Sequence, residues 1–409
     1  MITKFQTYTK YKDSGVDWIK TIPVDWTHDK IVSLFNFPND KVSDEDFEPL
    51  SVTYGGVKKQ VEDAAKTDNG SNRKLLKIGD IAFNGRSDRR GACGISEYEG
   101  SISVVYHVLR KKSPNIHTRF YHHLFRSTLF SQEFYRWGRG IHDDMWTTRI
   151  MEMKRIQVLV PPIEIQKRIA DYLDEKTNII DELIAKKEKL IESQKDKINT
   201  FVLGNNINLN RGISFWNNIR PEWKLEKARW IFEETNIRNK PNEELLAVTQ
   251  DRGVLPKQMC EEQFVSPTSY DALKLVEVND FVISLRSFEG GVEFSNYRGL
   301  VSPAYTVIRL NKKYNNNYYQ KYYKNLLKTP HFIILLNTIV MGIRDGKNIN
   351  YSDFKELILP IPTEDSIKKM MKDFEKHEKL VFYFEKQKKL LEEFRSSLIN
   401  YAVTGKIKI

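Results

Sequence analysis

Two groups of side chains in this sequence have the types that bind metals or move protons. His122 and His123 are adjacent, and His142-Asp143-Asp144 sets an imidazole beside two carboxylates. A metal site needs several such donors at a spacing that one fold can close. The first pair falls in a helical stretch with no acid at ligand spacing. The second has Arg344-Asp345 at the matching place later in the chain. Neither predicts a metal. Cys93 and Cys260 are far apart and form no CxxC pair, so both read as reduced thiols. The segment Gly342 to Asn348 contains Gly346-Lys347, but Asn348 stands where a phosphate-binding loop needs a hydroxyl. Pro161-Pro162 lies between Val160 and Ile163, so the Asp/Asn-Pro-Pro-aromatic loop of an amino-methyltransferase is missing. The chain reads as non-catalytic.

What recurs is a set of basic and polar residues in loops. Asn84, Arg86, Ser87, Arg89 and Arg90 follow a strand, and Ser284, Arg286 and Ser287 stand at the same place in the second half. A second loop carries Arg139, His142, Trp146, Thr147, Thr148 and Arg149, and its counterpart carries Arg344 and Lys347. The planar fork of arginine pairs with the major-groove edge of guanine or with phosphate. Serine, threonine, asparagine and backbone N–H groups position phosphates. Any one of these residues reads equally well as part of a solvated turn. As two sets they favour contact with DNA.

The elements that carry these loops are written twice. Trp26 and Trp223 are 197 residues apart, as are Gly15 and Gly212. Gly79-Asp80-Ile81 resembles Asn279-Asp280-Phe281, Arg86-Ser87 matches Arg286-Ser287, and Gly91 matches Gly291, each 200 apart. Tyr98-x-Gly100 matches Tyr297-x-Gly299, Ser103-x-x-Tyr106 matches Ser302-x-x-Tyr305, and Gly140-Ile141 matches Gly342-Ile343. A dozen matches in one order mark a duplicated unit. Strands are expected at Asp80–Asn84, Val104–Arg110, Phe281–Arg286 and Ala304–Leu310, with helices at Arg119–Trp137 and Tyr318–Asn337. Ile156–Val160 and Leu357–Ile361 read as short closing strands.

A long charged helix follows each unit, from about Glu164 to Leu203 and from about Thr363 to Thr404, each stopping at a glycine (Gly204, Gly405). Thr363 with Glu364 and Asp365 is a good helix start. In the first helix the 4-3 positions are Ile169, Leu173, Lys176, Ile180, Leu183, Lys187, Leu190, Gln194, Lys197 and Phe201. In the second they are Met370, Phe374, His377, Val381, Phe384, Lys388, Leu391, Arg395, Leu398 and Ala402, each 201 residues on. Such a seam favours helix pairing over docking of each helix on its own domain.

Composition sets the frame. The chain has 409 residues, 40% of them hydrophobic and 12% aromatic, enough for two cores. The net charge of +11 and a pI near 9.2 favour a polyanionic partner, nucleic acid before membrane. The N-terminus lacks an apolar signal core, and the longest apolar run, Phe332 to Leu336, is far short of a membrane span. The expected compartment is the cytoplasm.

The architecture resembles the specificity subunit of Type I restriction–modification systems. Tyr11-Lys12-Asp13-Ser14-Gly15-Val16-Asp17-Trp18-Ile19, then Ile22-Pro23 and Trp26, is similar to the opening of many members. The stretch from Val160-Pro161-Pro162-Ile163-Glu164-Ile165-Gln166-Lys167-Arg168-Ile169 to Asp174 resembles the family's central conserved region, and Phe394 to Ile407 its distal one. Pro360-Ile361-Pro362-Thr363-Glu364 departs from the pattern by lacking the Gln-Lys/Arg-Ile that should follow.

The resemblance implies an α+β fold: two pseudo-symmetric mixed α/β target recognition domains (residues 1–160 and 206–360). Two long helices (residues 161–205 and 361–409) would join and space them as an antiparallel coiled coil. It implies that each domain reads one half of a split, asymmetric double-stranded DNA target. It implies two methylation subunits and restriction subunits as partners. The cofactors S-adenosylmethionine, ATP and magnesium would belong to those partners and none to this chain. The rival readings are a stand-alone pseudo-dimeric DNA-binding protein and a coiled-coil adaptor.

Overall fold

The strands expected around Asp80 and Val104 form as Ile81–Asn84 and Tyr106–Lys111 in a computed structural model. It describes residues 5–60, 70–86, 91–140, 146–203, 216, 219–250, 252–260, 270–340 and 349–409. The chain divides into two compact units, residues 1–187 with 386–409, and residues 188–385.

In the first unit Ile81–Asn84 pairs antiparallel with Tyr106–Lys111 on one side and Cys93–Ile95 on the other, in a four-stranded sheet completed by Phe35–Asn36. Side chains alternate across that sheet, so two cores form. Ile81, Phe83 and Leu109 pack under Tyr121, Phe125 and Phe130 of the helices, with Phe83 and Phe134 ring centroids 4.5 Å apart. Ala82 and Val108 face the other way, against Leu50, Val52, Leu76 and Ile102. Each aromatic so buried contributes roughly 1.5–3 kcal/mol.

The second unit repeats the plan. Its sheet runs Phe232–Thr235, Thr306–Leu310, Phe281–Ile283, Glu293–Phe294. Phe281 and Ile308 pack under Tyr323, Leu326 and Phe332, and Val282 and Val307 lie against Leu246, Val254 and Val301.

The buried polar framework is duplicated too. Asp80 takes both arms of Arg110 at 2.8 and 2.7 Å, and Asp280 those of Arg309 at 2.6 and 2.8 Å. Lys74 Nζ donates to the Tyr106 carbonyl and Lys274 Nζ to that of Tyr305, both at 2.7 Å. Trp18 Nε1 donates to the Gln157 carbonyl at 3.1 Å, and Trp216 Nε1 to that of Ile358 at 2.7 Å.

Each single helix expected after the sheet is instead a pair. Thr118–Arg126 ends at Ser127, which is extended and caps Thr128–Arg136 by accepting from the Phe130 N–H. Asn317–Leu326 ends before Thr329, which caps Pro330–Asn337 in the same way. A hydroxyl cap between two apolar runs turns the chain while satisfying the new helix's free N–H groups.

The long helices run Ile163–Leu203 and Glu364–Val403. Thr363 caps the second by accepting from the Ser366 N–H, and Gly405 ends it at φ +69°. In the first unit Asp181 meets Arg395, Nε to Oδ1 at 2.8 Å, so the N-terminal half of one helix packs on the C-terminal half of the other. In the second unit Gln194 meets His377 at 2.6 Å and Lys195 meets Glu385 at 3.6 Å, the reverse halves. The helices are antiparallel.

The expected seam holds in the second helix, where Met370, Phe374, His377, Leu398 and Ala402 are buried. In the first it needs correction. Thr177, Ile184, Ile191 and Ile198 line the seam, each one residue past Lys176, Leu183, Leu190 and Lys197. Leu183 and Leu190 are 40% and 41% exposed. Two 4-3 phasings share Leu173, Ile180, Lys187 and Gln194. The one adopted buries Ile191, half-buries Ile184 and Ile198, and keeps the lysines at 176 and 197 wetter.

The Ile22-Pro23 and Trp26 stretch has a structural role in the first unit. Trp26 and Pro23 receive Gly405, where a Cβ would come within 2.7 Å of Pro23. Tyr11 Oη donates to the Gly405 carbonyl at 3.0 Å and Lys406 Nζ to that of Thr21 at 2.8 Å.

Candidate nucleic-acid interface

In the first unit the two basic loops are joined. Thr148 N–H donates to the Gly85 carbonyl at 3.0 Å, and Thr147 exchanges two backbone hydrogen bonds with Arg139, both at 3.0 Å. Thr147 also bridges Arg86. Gly85 is required at this junction, because a Cβ there would stand 2.9 Å from His107 Nε2 and 3.0 Å from the Thr148 carbonyl.

The floor beneath is polar and buried. His107 Nε2 meets the Thr148 carbonyl at 2.8 Å, Thr148 Oγ1 donates to the Phe134 carbonyl at 2.7 Å, and Trp146 Nε1 donates to that of Tyr135 at 2.9 Å. Burial drives the His107 pKa down to about 4, against the pull of the Thr148 carbonyl, so the ring is neutral at pH 7.

The predicted residues divide by exposure. Arg86 is exposed, Arg139 has 76% of its side chain exposed with Glu152 3.9 Å away, and Arg149 is exposed at the start of the short helix Ile150–Met153. The junction therefore brings Arg86 and Arg139 together on one bridged pair of loops. Asn84 is buried and serves the backbone, its Oδ1 accepting from the Arg86 N–H at 3.0 Å. Ser87, Arg89, Arg90 and His142 lie outside the described residues.

In the second unit Arg286 is exposed at the start of the short helix Ser287–Gly290. Ser287 is buried, and its Oγ accepts from the Ser284 N–H at 2.9 Å, while Ser284 Oγ accepts from the Arg286 N–H at 3.3 Å. The two serines thus shape the turn that presents the arginine. Arg344 and Lys347 lie outside the described residues.

Sequence reasoning missed Gln250, at the tip of a neighbouring hairpin, whose Nε2 donates to the Arg286 carbonyl at 3.3 Å. A threonine and a glycine framing a short polar turn, in both halves, was the signal available.

The histidine pair is structural. His123 Nε2 meets Asp174 Oδ1 at 2.7 Å, beside Arg119, which pairs with Asp171 and Asp174 at 2.6 Å each. This network holds the Thr118–Arg126 helix on the first long helix. His142-Asp143-Asp144 lies outside the described residues. Among the described residues no group of three His, Cys, Asp or Glu is placed to hold a metal, and no helix is long and apolar enough to cross a membrane.

Residues 23–193 match the family of Type I restriction modification DNA specificity domains. A curated relative, the putative type I restriction enzyme MjaX specificity subunit of Methanocaldococcus jannaschii, is 23% identical over 364 residues, covering 85% of this chain and 83% of that one. A solved chain from work on complex assembly and conformational transition of the type I R-M system has the same fold. Its TM-score is 0.57 at 13% identity, with 93% of this chain and 98% of that chain covered. The fold is a duplicated mixed α/β unit with a long helix after each copy, shared with that solved chain. Over residues 23–193 the chain is similar to Type I restriction modification DNA specificity domains, and over most of its length to a putative type I specificity subunit.

Proposed function

We propose that this chain reads a bipartite, asymmetric DNA target, one unit per half-site, and scaffolds the methylation and restriction subunits. The observation that carries this is a duplicated frame with unlike loops. The buried Asp80–Arg110 and Asp280–Arg309 pairs repeat. The first unit presents Arg86, Arg139 and Arg149, whereas the second presents Arg286 on a turn built by Ser284 and Ser287. Equal frames give each half the same mode of approach, and unlike loops give each its own bases.

Helices of 41 and 40 residues fit the spacing role. At 1.5 Å per residue each reaches roughly 60 Å, close to two turns of duplex. Their outer faces suit helical partners. In the first unit Ile179 and Leu183, and Leu390, Phe394 and Tyr401, recur at helical spacing and are 40–55% exposed. Two methylation subunits dock there, and restriction subunits join them. Adenine-N6 methylation and ATP-dependent cleavage belong to that complex. S-adenosylmethionine, ATP and magnesium are held by the partners, and the assembly works in the cytoplasm.

Co-expression with the cognate methylation subunit tests this reading. The expected result is a stable complex of one specificity chain with two methylation subunits, whose DNA binding weakens steeply with salt. Full sequence-specific binding by the chain alone, with no such complex, would favour a stand-alone pseudo-dimeric DNA-binding protein. Binding to protein but never to DNA would favour an adaptor.

A further inference from the structure

A second hairpin stands beside each basic loop, and the two hairpins are anchored alike but tipped differently. In the first unit Leu50–Thr53 pairs with Gly56–Lys59, and in the second Leu246–Thr249 pairs with Gly253–Pro256. Each turn opens on a threonine whose Oγ1 donates to the carbonyl of the closing glycine, Thr53 to Gly56 at 3.0 Å and Thr249 to Gly253 at 2.9 Å. Both glycines have positive φ, +93° and +76°, which an L side chain adopts only with strain. Each tip carbonyl is held by a cation at the junction of the helix pair, Arg126 as the last residue of Thr118–Arg126 and Lys328 just past Asn317–Leu326. Arg126 Nη2 donates to the Tyr54 carbonyl, and Lys328 Nζ to the Gln250 carbonyl at 2.9 Å.

Between these shared anchors nothing is shared. The first tip is Tyr54-Gly55. The second runs from Gln250 to Arg252 and is one residue longer, with position 251 outside the described residues. Tyr54 is 57% exposed and Arg252 is exposed. Both tips adjoin the loops already assigned to DNA. Gly56 packs on Gly94, just after the first loop, where a Cβ on Gly94 would come within 2.7 Å of the Gly56 Cα. Gln250 binds the Arg286 carbonyl directly.

A constant anchor under a variable tip is what separates holding from reading. We propose that these hairpin tips are further specificity-determining elements, with Tyr54 reading part of the half-site of the first unit and Arg252 part of that of the second. The inference rests on the two-half-site reading above. Tyr54 offers a hydroxyl that donates and accepts, with a ring for a thymine methyl or a sugar. Arg252 is exposed, its Nη1 donating to the Met259 carbonyl at 3.3 Å, and a guanidinium turned from that carbonyl to DNA would give a fork for the O6 and N7 of guanine.

The test maps the methylated motif of the assembled complex on a randomised DNA library, for wild type, Tyr54→Ala, Tyr54→Phe and Arg252→Ala. The expected result is an unchanged gap with about tenfold weaker discrimination at one or two positions. Those positions lie in one half for the Tyr54 variants and in the other half for Arg252→Ala. Tyr54→Phe removes a single oxygen and keeps the ring, so a loss of discrimination at unchanged stability in urea supports a contact, and a loss that tracks lost stability would overturn it. Wild-type discrimination at every position in all three variants would overturn the proposal and leave the two-half-site reading intact. A wild-type complex with no split motif would overturn that reading, and this inference with it.

Discussion

Arg309 closes both arms of its guanidinium on Asp280, Nε to Oδ1 at 2.6 Å and Nη2 to Oδ2 at 2.8 Å, with the carboxylate 1% exposed. Asp280 also accepts from the Glu277 N–H at 2.8 Å, so one buried side chain ties a strand to the turn before it. Arg309→Ala should therefore destabilise the second unit by about 3–5 kcal/mol, because it strands a buried charge. Arg309→Lys should restore only part of this, since an ammonium cannot reproduce the fork. Urea denaturation of the three proteins checks it, and equal stability of all three would contradict it.

Arg86 and Arg286 occupy equivalent places in different units. Arg86→Ala should relax or weaken one half-site and Arg286→Ala the other, each by about 1–3 kcal/mol of discrimination. The readout is the methylated motif of each variant complex. Identical changes from both substitutions would argue against one unit per half-site.

Acid should loosen the first basic loop pair. Burial lowers the His107 pKa from 6.5 to about 4, and burial lowers that of His122 to about 3. The unfolded chain then takes up these protons first as the pH falls. Stability from His107 is complete above pH 6.5 and is lost as the pH drops towards 4, roughly 3 kcal/mol in all. Because His107 holds the Thr148 carbonyl, DNA binding should fail over the same window. The stability–pH slope there should flatten in His107→Gln. An unchanged slope would show that His107 is not the group responsible.

The spacer role makes a metrical prediction. One heptad inserted after Ile184 and another after Glu385, its equivalent in the repeat 201 residues on, lengthens both helices alike and keeps the antiparallel seam in register. Seven residues add about 10 Å, or roughly three base pairs. The gap in the recognised motif should lengthen by that amount. An insertion after Ile184 alone should lengthen or abolish the tolerated gap. A gap unchanged in the double insertion would exclude the helices as the ruler.

The duplicated frame was legible in the sequence because its parts have few substitutes. Asp80 and Asp280 stood out as a match, though their partners Arg110 and Arg309 did not, and a helix end received by Pro23 and Trp26 needs glycine at 405. The helix pairs were less legible, since apolar spacing runs on through Ser127 and Thr329 while their hydroxyls cap new helices. The seam of the first helix was read one residue off at four positions, because two 4-3 phasings share the rest. Loop residues were hardest. Asn84 and Arg86 are both polar and two residues apart, yet one is buried beneath the loop and the other exposed on it. Only the fold distinguishes a residue that builds a turn from one that the turn presents. The hairpin tips escaped notice because Tyr54-Gly55 and the longer tip ending at Arg252 share no pattern.

The central claim is that this chain alone sets a two-part DNA specificity. The most direct measurement is genome-wide adenine-methylation sequencing of a host expressing the chain with its methylation subunit, against a host with the methylation subunit only. The account predicts one new motif, two short unlike blocks around a fixed gap, present only when the chain is expressed. No new motif with a verified active methylation subunit, or an uninterrupted or palindromic one, would contradict it.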